Sequence, residues 1–301
     1  MKWNIYSKLW MIFFVLMGTA CTNQVEDAIP VSDQPIEFSV QSDWKEIPNT
    51  RLNAGRDSFV KGDTIQIFGF HRSSSGDPVK FMYRLNDWNR GQKVVFDDTG
   101  WNYSPKRFLP KKGTLDFYAG YPEYSVWYDN TNKRMNYKQD VNPLQLDLLW
   151  GVSTLDCATG RKNVSITMKH ALAKVNIKFD KLDGIRKVIV SAYKAGYFYK
   201  TDTLGIPIWQ VENKTDIQTD TLSSNKEHPQ IGDATVFILP EKITGLKLIF
   251  DNDVIDASEE IKKPQYTFKA GKLYNLTISK GVRKKNTNSR SIAMSVRCVS
   301  E

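Results

Sequence analysis

Lys61-Gly62-Asp63-Thr64-Ile65-Gln66-Ile67-Phe68-Gly69-Phe70 is a tight turn followed at once by a run of β-formers. Glycine relieves the turn, and the apolar residues after it alternate with others along the run. That period of two is the mark of a half-buried strand, because successive side chains leave a strand on opposite faces.

The same pattern recurs on either side. Upstream, Ile36, Phe38 and Val40 alternate with polar residues. Downstream, Val94-Val95-Phe96 runs into a turn at Asp97-Asp98-Thr99-Gly100, and Trp101-Asn102-Tyr103 restarts the alternation. Leu115 to Tyr121 reads as a further strand closed by Pro122. Residues 123 to about 160 are less regular and rich in Asn, Asp and Tyr. A second series opens at Val164-Ser165-Ile166-Thr167-Met168 and continues through Leu172 to Phe179, Lys187 to Tyr193, Thr235 to Leu239, Leu246 to Phe250 and Lys272 to Ser279. No window carries an amphipathic helix of four turns. Many short strands with regular turn signals predict an all-β fold, here two tandem β-sandwiches at 36–160 and 161–280. The chain then turns polar, and a last alternation sets Ile292, Met294, Val296 and Cys298 on one face. This tail, 281–301, is either the final strand of the second sandwich or a strand meant for a neighbour.

The beginning of the chain reads differently. Lys2 and Lys8 precede the apolar run Leu9 to Met17, which exits through Gly18-Thr19-Ala20 to Cys21. The run is too short to cross a bilayer, which takes about 20 residues. A positive start, a short apolar run and a small-residue exit predict a secretory signal peptide over 1–20. Gly18-Thr19-Ala20-Cys21 resembles a bacterial lipoprotein box, with Gly18 standing where a large aliphatic is usual. Cys21 is the lipidation candidate, and 21–35 would be a tether to the outer membrane. Gln24-Val25-Glu26-Asp27 resembles the surface-export signal of some Gram-negative lipoproteins and reads equally as a solvated linker.

Composition bounds the chemistry. The 301 residues carry a net charge of +9 and 12% aromatics. Such a chain folds around a core. Its basic residues are scattered rather than striped, so no nucleic-acid partner is expected. His71, His170 and His228 are isolated, without metal-ligand spacing. There is no nucleophile elbow and no phosphate-binding glycine loop. Asp251-Asn252-Asp253 reads as a hairpin turn and Glu259-Glu260 as a solvated face. The expectation is therefore no enzyme, no metal and no cofactor. Cys157 and Cys298 read as two free thiols, with no spacing that requires a disulfide. Tyr121, Tyr124, Trp127 and Tyr128 cluster in sequence and offer ring faces that could stack on sugars. They support an alternative reading as a surface glycan-binding lipoprotein, against the plainer one of rings closing a sheet edge.

Several blocks together resemble one family. Phe59-Val60-Lys61-Gly62-Asp63-Thr64-Ile65 is similar to an early turn of the fimbrillins, the subunits of type V pili. So are Trp101-Asn102-Tyr103-Ser104, Leu115-Asp116-Phe117-Tyr118-Ala119, Asp147-Leu148-Leu149-Trp150, Met168 to Val175, Phe237-Ile238-Leu239-Pro240 and Phe268 to Tyr274. The likeness runs from about residue 36 to 280. It implies two transthyretin-like sandwiches, a lipoprotein precursor, and a place in a fimbrium at the cell surface, supporting adhesion to a host or bacterial surface ligand. It also implies assembly with other fimbrial subunits by strand exchange. Ile36 to Val40 would be the leaving strand, Arg51 or Arg56 the cleavage point, and Ile292 to Cys298 the donor strand, with Ile292, Met294 and Val296 as plugs. The tail departs from the family in ending Cys298-Val299-Ser300-Glu301.

Overall fold

The structure, a computed structural model, describes residues 31–42, 59–139 except 75, 147–280 except 181, 215–216, 224–233, 242, 252 and 263–266, and 294–300. The expected signal peptide over 1–20, Cys21, Arg51, Arg56 and Ile292 lie outside the described residues, as does most of the expected tether. The structural statements below concern the described residues.

The chain is built almost wholly of strands, as the alternation predicts. The first half holds β1 (Val31–Pro35), β2 (Glu37–Ser42), β3 (Thr64–Arg72), β4 (Val79–Met82), β5 (Gln92–Asp97), β6 (Gly100–Asn102), β7 (Phe108–Pro110), β8 (Thr114–Tyr121), β9 (Val126–Asp129), β10 (Arg134–Gln139), β11 (Leu149–Asp156) and β12 (Asn163–His170). The second half holds β13 (Ala173–Asp180), β14 (Lys187–Tyr193), β15 (Gly196–Phe198), β16 (Gln210–Val211), β17 (Ile217–Ser223), β18 (Ala234–Ile238), β19 (Ile243–Ile249), β20 (Val254–Asp256), β21 (Leu273–Lys280) and β22 (Met294–Ser300). A single helical turn, α1 (Ser258–Ile261), is the longest helix described.

The large sheet runs β4-β3-β5-β6-β2-β12-β11-β8, and β8 pairs in turn with β3. The strands from β3 round to β8 therefore close a hydrogen-bonded ring. Inside it sits an aromatic-rich core that includes Phe38, Trp101, Tyr103 and Phe117. The second half forms two four-stranded sheets, β18-β13-β21-β22 and β17-β14-β19-β20. Their shared core is mostly aliphatic, with Val175, Ile177, Val188, Leu246 and Leu248 all at 1% exposure or less.

Three findings differ from the sequence reading. First, β3 is buried on both faces rather than one. Ile65 and Ile67 belong to the ring core, while Phe68 and Phe70 face a third cluster, and Gln66 is fully buried between them. Gly69 lets β4 and β8 approach, since a Cβ there would lie 2.9 Å from Met82 Cβ. Second, the described parts of the stretch after residue 123 carry regular strands. β11 pairs with β8 over eight residues, from Leu149↔Tyr121 to Asp156↔Thr114. Gly151 and the exposed Val152 blur its pattern. Third, Val164–Met168 does not open the second series. As part of β12 it lies beside β2 and β11 in the ring.

The third cluster joins the halves. A small sheet, β16-β15-β10-β9, takes two strands from each half of the sequence. It covers the outer face of β3, β8 and β11 through Val126, Met135, Tyr137 and Phe198. Trp209 Nε1 donates to the Ala171 carbonyl at 2.7 Å, fixing the junction.

Candidate functional site

The site is the seat of β2. Its alternation Glu37-Phe38-Ser39-Val40-Gln41 reads exposed, buried, exposed, buried, exposed, and Ile36 just before it is fully buried. On one side β2 runs parallel to β12 in a ladder from Asn163↔Glu37 to Met168↔Ser42. On the other it meets β6 at one residue pair, Phe38↔Trp101. The ring is thus closed on that side by a single pair.

Side chains make up for the thin ladder. Tyr103 Oη donates to the Ile36 carbonyl at 2.8 Å, and Trp101 Nε1 to the Val40 carbonyl at 3.2 Å. The Ile36 amide donates to the Arg107 carbonyl at 2.8 Å and the Glu37 amide to that of Lys162 at 3.0 Å. Burial pushes the Tyr103 hydroxyl above its usual pKa, which keeps it a donor. Phe38 meets Tyr103 and Phe117 edge to face, at centroid distances of 5.5 and 5.3 Å. An ion pair between Lys162 Nζ and Glu37 Oε1, at 2.6 Å, lies half-exposed and contributes about 1 kcal/mol at most. The apolar term is larger. Burying Ile36, Phe38 and Val40 is worth about 1.5–3 kcal/mol for each side chain.

The chain's last strand is also placed. β22 runs antiparallel to β21, from Tyr274↔Ser300 to Lys280↔Met294, at the edge of its sheet. Met294, Val296 and Cys298 are therefore strand residues paired within their own chain.

The aromatics that the glycan-binding alternative needs on one surface are dispersed. Tyr121 packs on Phe59 in the ring core. Trp127 meets Tyr197 at 6.3 Å on one face of the small sheet, while its neighbour Tyr128 meets Phe70 at 5.1 Å on the other. Tyr124 is half-exposed at φ 78, with the Arg90 guanidinium 4.3 Å from its ring centre. Adjacent strand residues point to opposite faces, so nearness in sequence separates them.

Two of the three histidines are described, and His228 lies outside the described residues. His170 Nδ1 pairs with the buried Asp147, and His71 Nε2 lies 2.8 Å from the Lys112 carbonyl. Cys157 is free and buried, its thiol pushed up to about 11 by burial and then by Asp156. Asp251 and Asp253 lie in the β19–β20 turn, where Asp251 pairs with Arg186 at 2.7 Å. Among the described residues no cluster of three metal-ligating side chains occurs, and no helix is long and apolar enough to cross a membrane.

Comparison with known proteins bears on this architecture. No curated protein matches the chain. A solved candidate cell adhesion protein from Bacteroides uniformis is 16% identical, covering 90% of this chain and 98% of its own, at a TM-score of 0.56. Another from Bacteroides ovatus is 12% identical over 89% and 97%, at 0.53. At such identity the likeness is one of fold. The fimbrial anchor protein Mfa2 from Porphyromonas gingivalis is 11% identical over 87% and 95%, but its TM-score of 0.38 is too low to carry weight. The family model described as fimbrillin-like matches residues 50–293. With that match spanning most of its length, the chain belongs to the fimbrillin-like family.

Proposed function

We infer that this chain is a structural or accessory subunit of a cell-surface fimbrium, exported, lipidated at Cys21 and held at the outer membrane until it assembles. The observation that carries this reading is the seat of β2. Three apolar side chains plug a closed core from a strand that has a six-pair ladder on one flank and one pair on the other. Cleavage after Arg51 or Arg56 would sever β2 from β3 and leave it held without a covalent link. Its departure would bare the edges of β12 and β6 and three side-chain pockets. A strand from a neighbour, running parallel to β12, would restore the backbone pairs and refill the pockets. The donor would be the tail around Ile292, Met294, Val296 and Cys298. Assembly and adhesion are structural work, which agrees with a family of fimbrial proteins rather than enzymes. The chain divides in this reading into two units that meet between β12 and β13, with the small sheet bridging them.

The test is direct. Purified protein is treated briefly with an arginine-specific protease and run unboiled in SDS. A ladder of regular oligomers, lost when residues 291–301 are deleted, is the expected result. A clean cut near Arg51 with no ladder at any concentration would overturn polymerisation by strand exchange.

A further inference from the structure

A second feature of the molecule lies away from β2. Between the outer face of the ring and the small sheet opens a cleft of about 600 Å³, within the size range of small-ligand sites. Its walls are rings: Phe70 and Tyr118 from the ring strands, Tyr128 and Tyr137 from the small sheet, with Trp150 and Phe198 behind. Its rim is polar and unevenly charged. Arg72, Lys133, Arg134 and Lys200 line it against two carboxylates, Asp77 and Asp116. Arg72 is taken by Asp116 at 2.9 Å, and Thr154 Oγ1 fixes that carboxylate at 2.9 Å. Arg134 is stacked over Tyr199 at 3.6 Å, with Asp129 3.8 Å from its Nε. Lys133 and Lys200 have no acidic partner among the described residues.

Two details separate this cleft from an incidental groove. Lys133 stands at φ 48, a left-handed conformation that a lysine adopts at a cost, while its neighbour Asn132 would take it more readily. The hairpin loop holds this shape through Asp129, which accepts from the Thr131 and Asn132 amides at 3.0 Å. Strain kept in place by its surroundings is a pointer to use. The second detail is Trp150. It is 7% exposed, it lines the cleft, and its indole N–H has no acceptor among the described residues. A buried donor so left is costly unless something else accepts from it.

We propose that this cleft binds an anionic sugar, a carboxylate-bearing residue of an oligosaccharide. The ring of Tyr118 receives the apolar face of the sugar. Asp77 and Thr201 exchange hydrogen bonds with its hydroxyls, and Lys133 and Lys200 neutralise its carboxylate. Binding here uses neither β2 nor β22, so it is independent of the strand-exchange reading.

The test uses the purified, uncleaved full chain and two acidic probes, hexagalacturonate and 3′-sialyllactose, each against its neutral counterpart, by calorimetry and tryptophan fluorescence. At least one acidic probe binds, and its neutral counterpart binds at least about tenfold more weakly, as loss of two charge contacts predicts. Which acidic probe binds tells a uronate polymer from a sialylated glycan. Lys133→Gln and Lys200→Gln each weaken binding about fivefold, the size of one screened charge contact. Lys61→Gln, in an exposed turn, leaves it unchanged, and Val152→Trp, at an exposed rim position, blocks it without touching the core. Equal affinity for neutral sugars, no binding of either acidic probe up to its solubility, or a loss in Lys61→Gln equal to that in Lys133→Gln would each overturn the proposal.

Discussion

In the first half of the chain β3 pairs with β8 and closes a ring around an aromatic core; in the second half two open sheets face each other across a mostly aliphatic one. β2 and β22 differ accordingly. β2 is interior to its sheet, and its plugs fit among Tyr103, Phe117 and Trp101. β22 lies on an edge, paired on one side only among the described residues. A strand drawn out of the ring leaves deep, shaped pockets, whereas one drawn from the edge leaves a ladder of backbone groups. In the proposed assembly the first would be a receptor and the second a donor, which is the asymmetry that head-to-tail assembly needs.

The comparison breaks most readily at Phe38. Replacing it with Ala removes a ring that is 7% exposed and touches two others edge to face. The expected loss is about 3–5 kcal/mol. Urea denaturation followed by tryptophan fluorescence reads it, since Trp101 and Trp150 report on the first half and the junction. If the variant keeps the wild-type midpoint, β2 is not the plug of the ring.

Trp101→Phe is the next step down. It removes the indole donor to Val40 and trims contacts with Phe59 and Phe96, whose centroids lie 4.9 and 5.1 Å away. About 2 kcal/mol is expected, from a lost hydrogen bond and a smaller ring. The variant should also shed β2 faster after arginine-specific cleavage, which oligomer formation over time would report. In the second half Ile177→Val, at full burial among aliphatics, should cost about 1 kcal/mol and leave that rate unchanged. An equal acceleration by both variants would dissolve the distinction between the two halves.

Much of this contrast is legible in the sequence, and the reasons for the rest are physical. Strands such as β3, β8, β13 and β21 announce themselves because alternation is a local property. The plug residues Ile36, Phe38 and Val40 are visible for the same reason. Partnership is not local. Nothing in Val164–Met168 tells that it lies parallel to β2, because that register is set by chain more than 120 residues away. Nor does the second-half segment Gly196–Phe198 reveal that it joins β10, so the cover over Phe68 and Phe70, and the cleft beside it, could not be foreseen. The aromatic run from Tyr121 to Tyr128 misleads in the opposite way: its rings are close in sequence and parted by the pleat. Lys133 gives no signal at all, because the sequence favours Asn132 for a left-handed position.

The mildest test concerns pH, and it probes the seam between the halves rather than either core. Lys174 opens the second half on β13, 9% exposed, with its ammonium 5.3 Å from the Phe237 ring centre. Burial lowers its pKa to about 8 from 10.5, and the buried Asp147 opposes that shift. Below pH 8 the lysine is charged in both the folded and unfolded states, and the fold carries the cost of holding that charge out of water. Between pH 8 and 10.5 the unfolded chain binds more protons than the folded one, so unfolding free energy rises with pH across this window. Above it both forms are neutral and the gain levels off. Thermal melts from pH 7 to pH 10.5 should therefore show a modest upward drift in this window, after correction for the general loss of stability in alkali. Lys174→Met should abolish that drift and be the more stable protein at pH 7. A drift of equal size in the variant would place the titrating group elsewhere. The first half has no buried lysine of this kind among its described residues, so pH would then cease to tell the two halves apart.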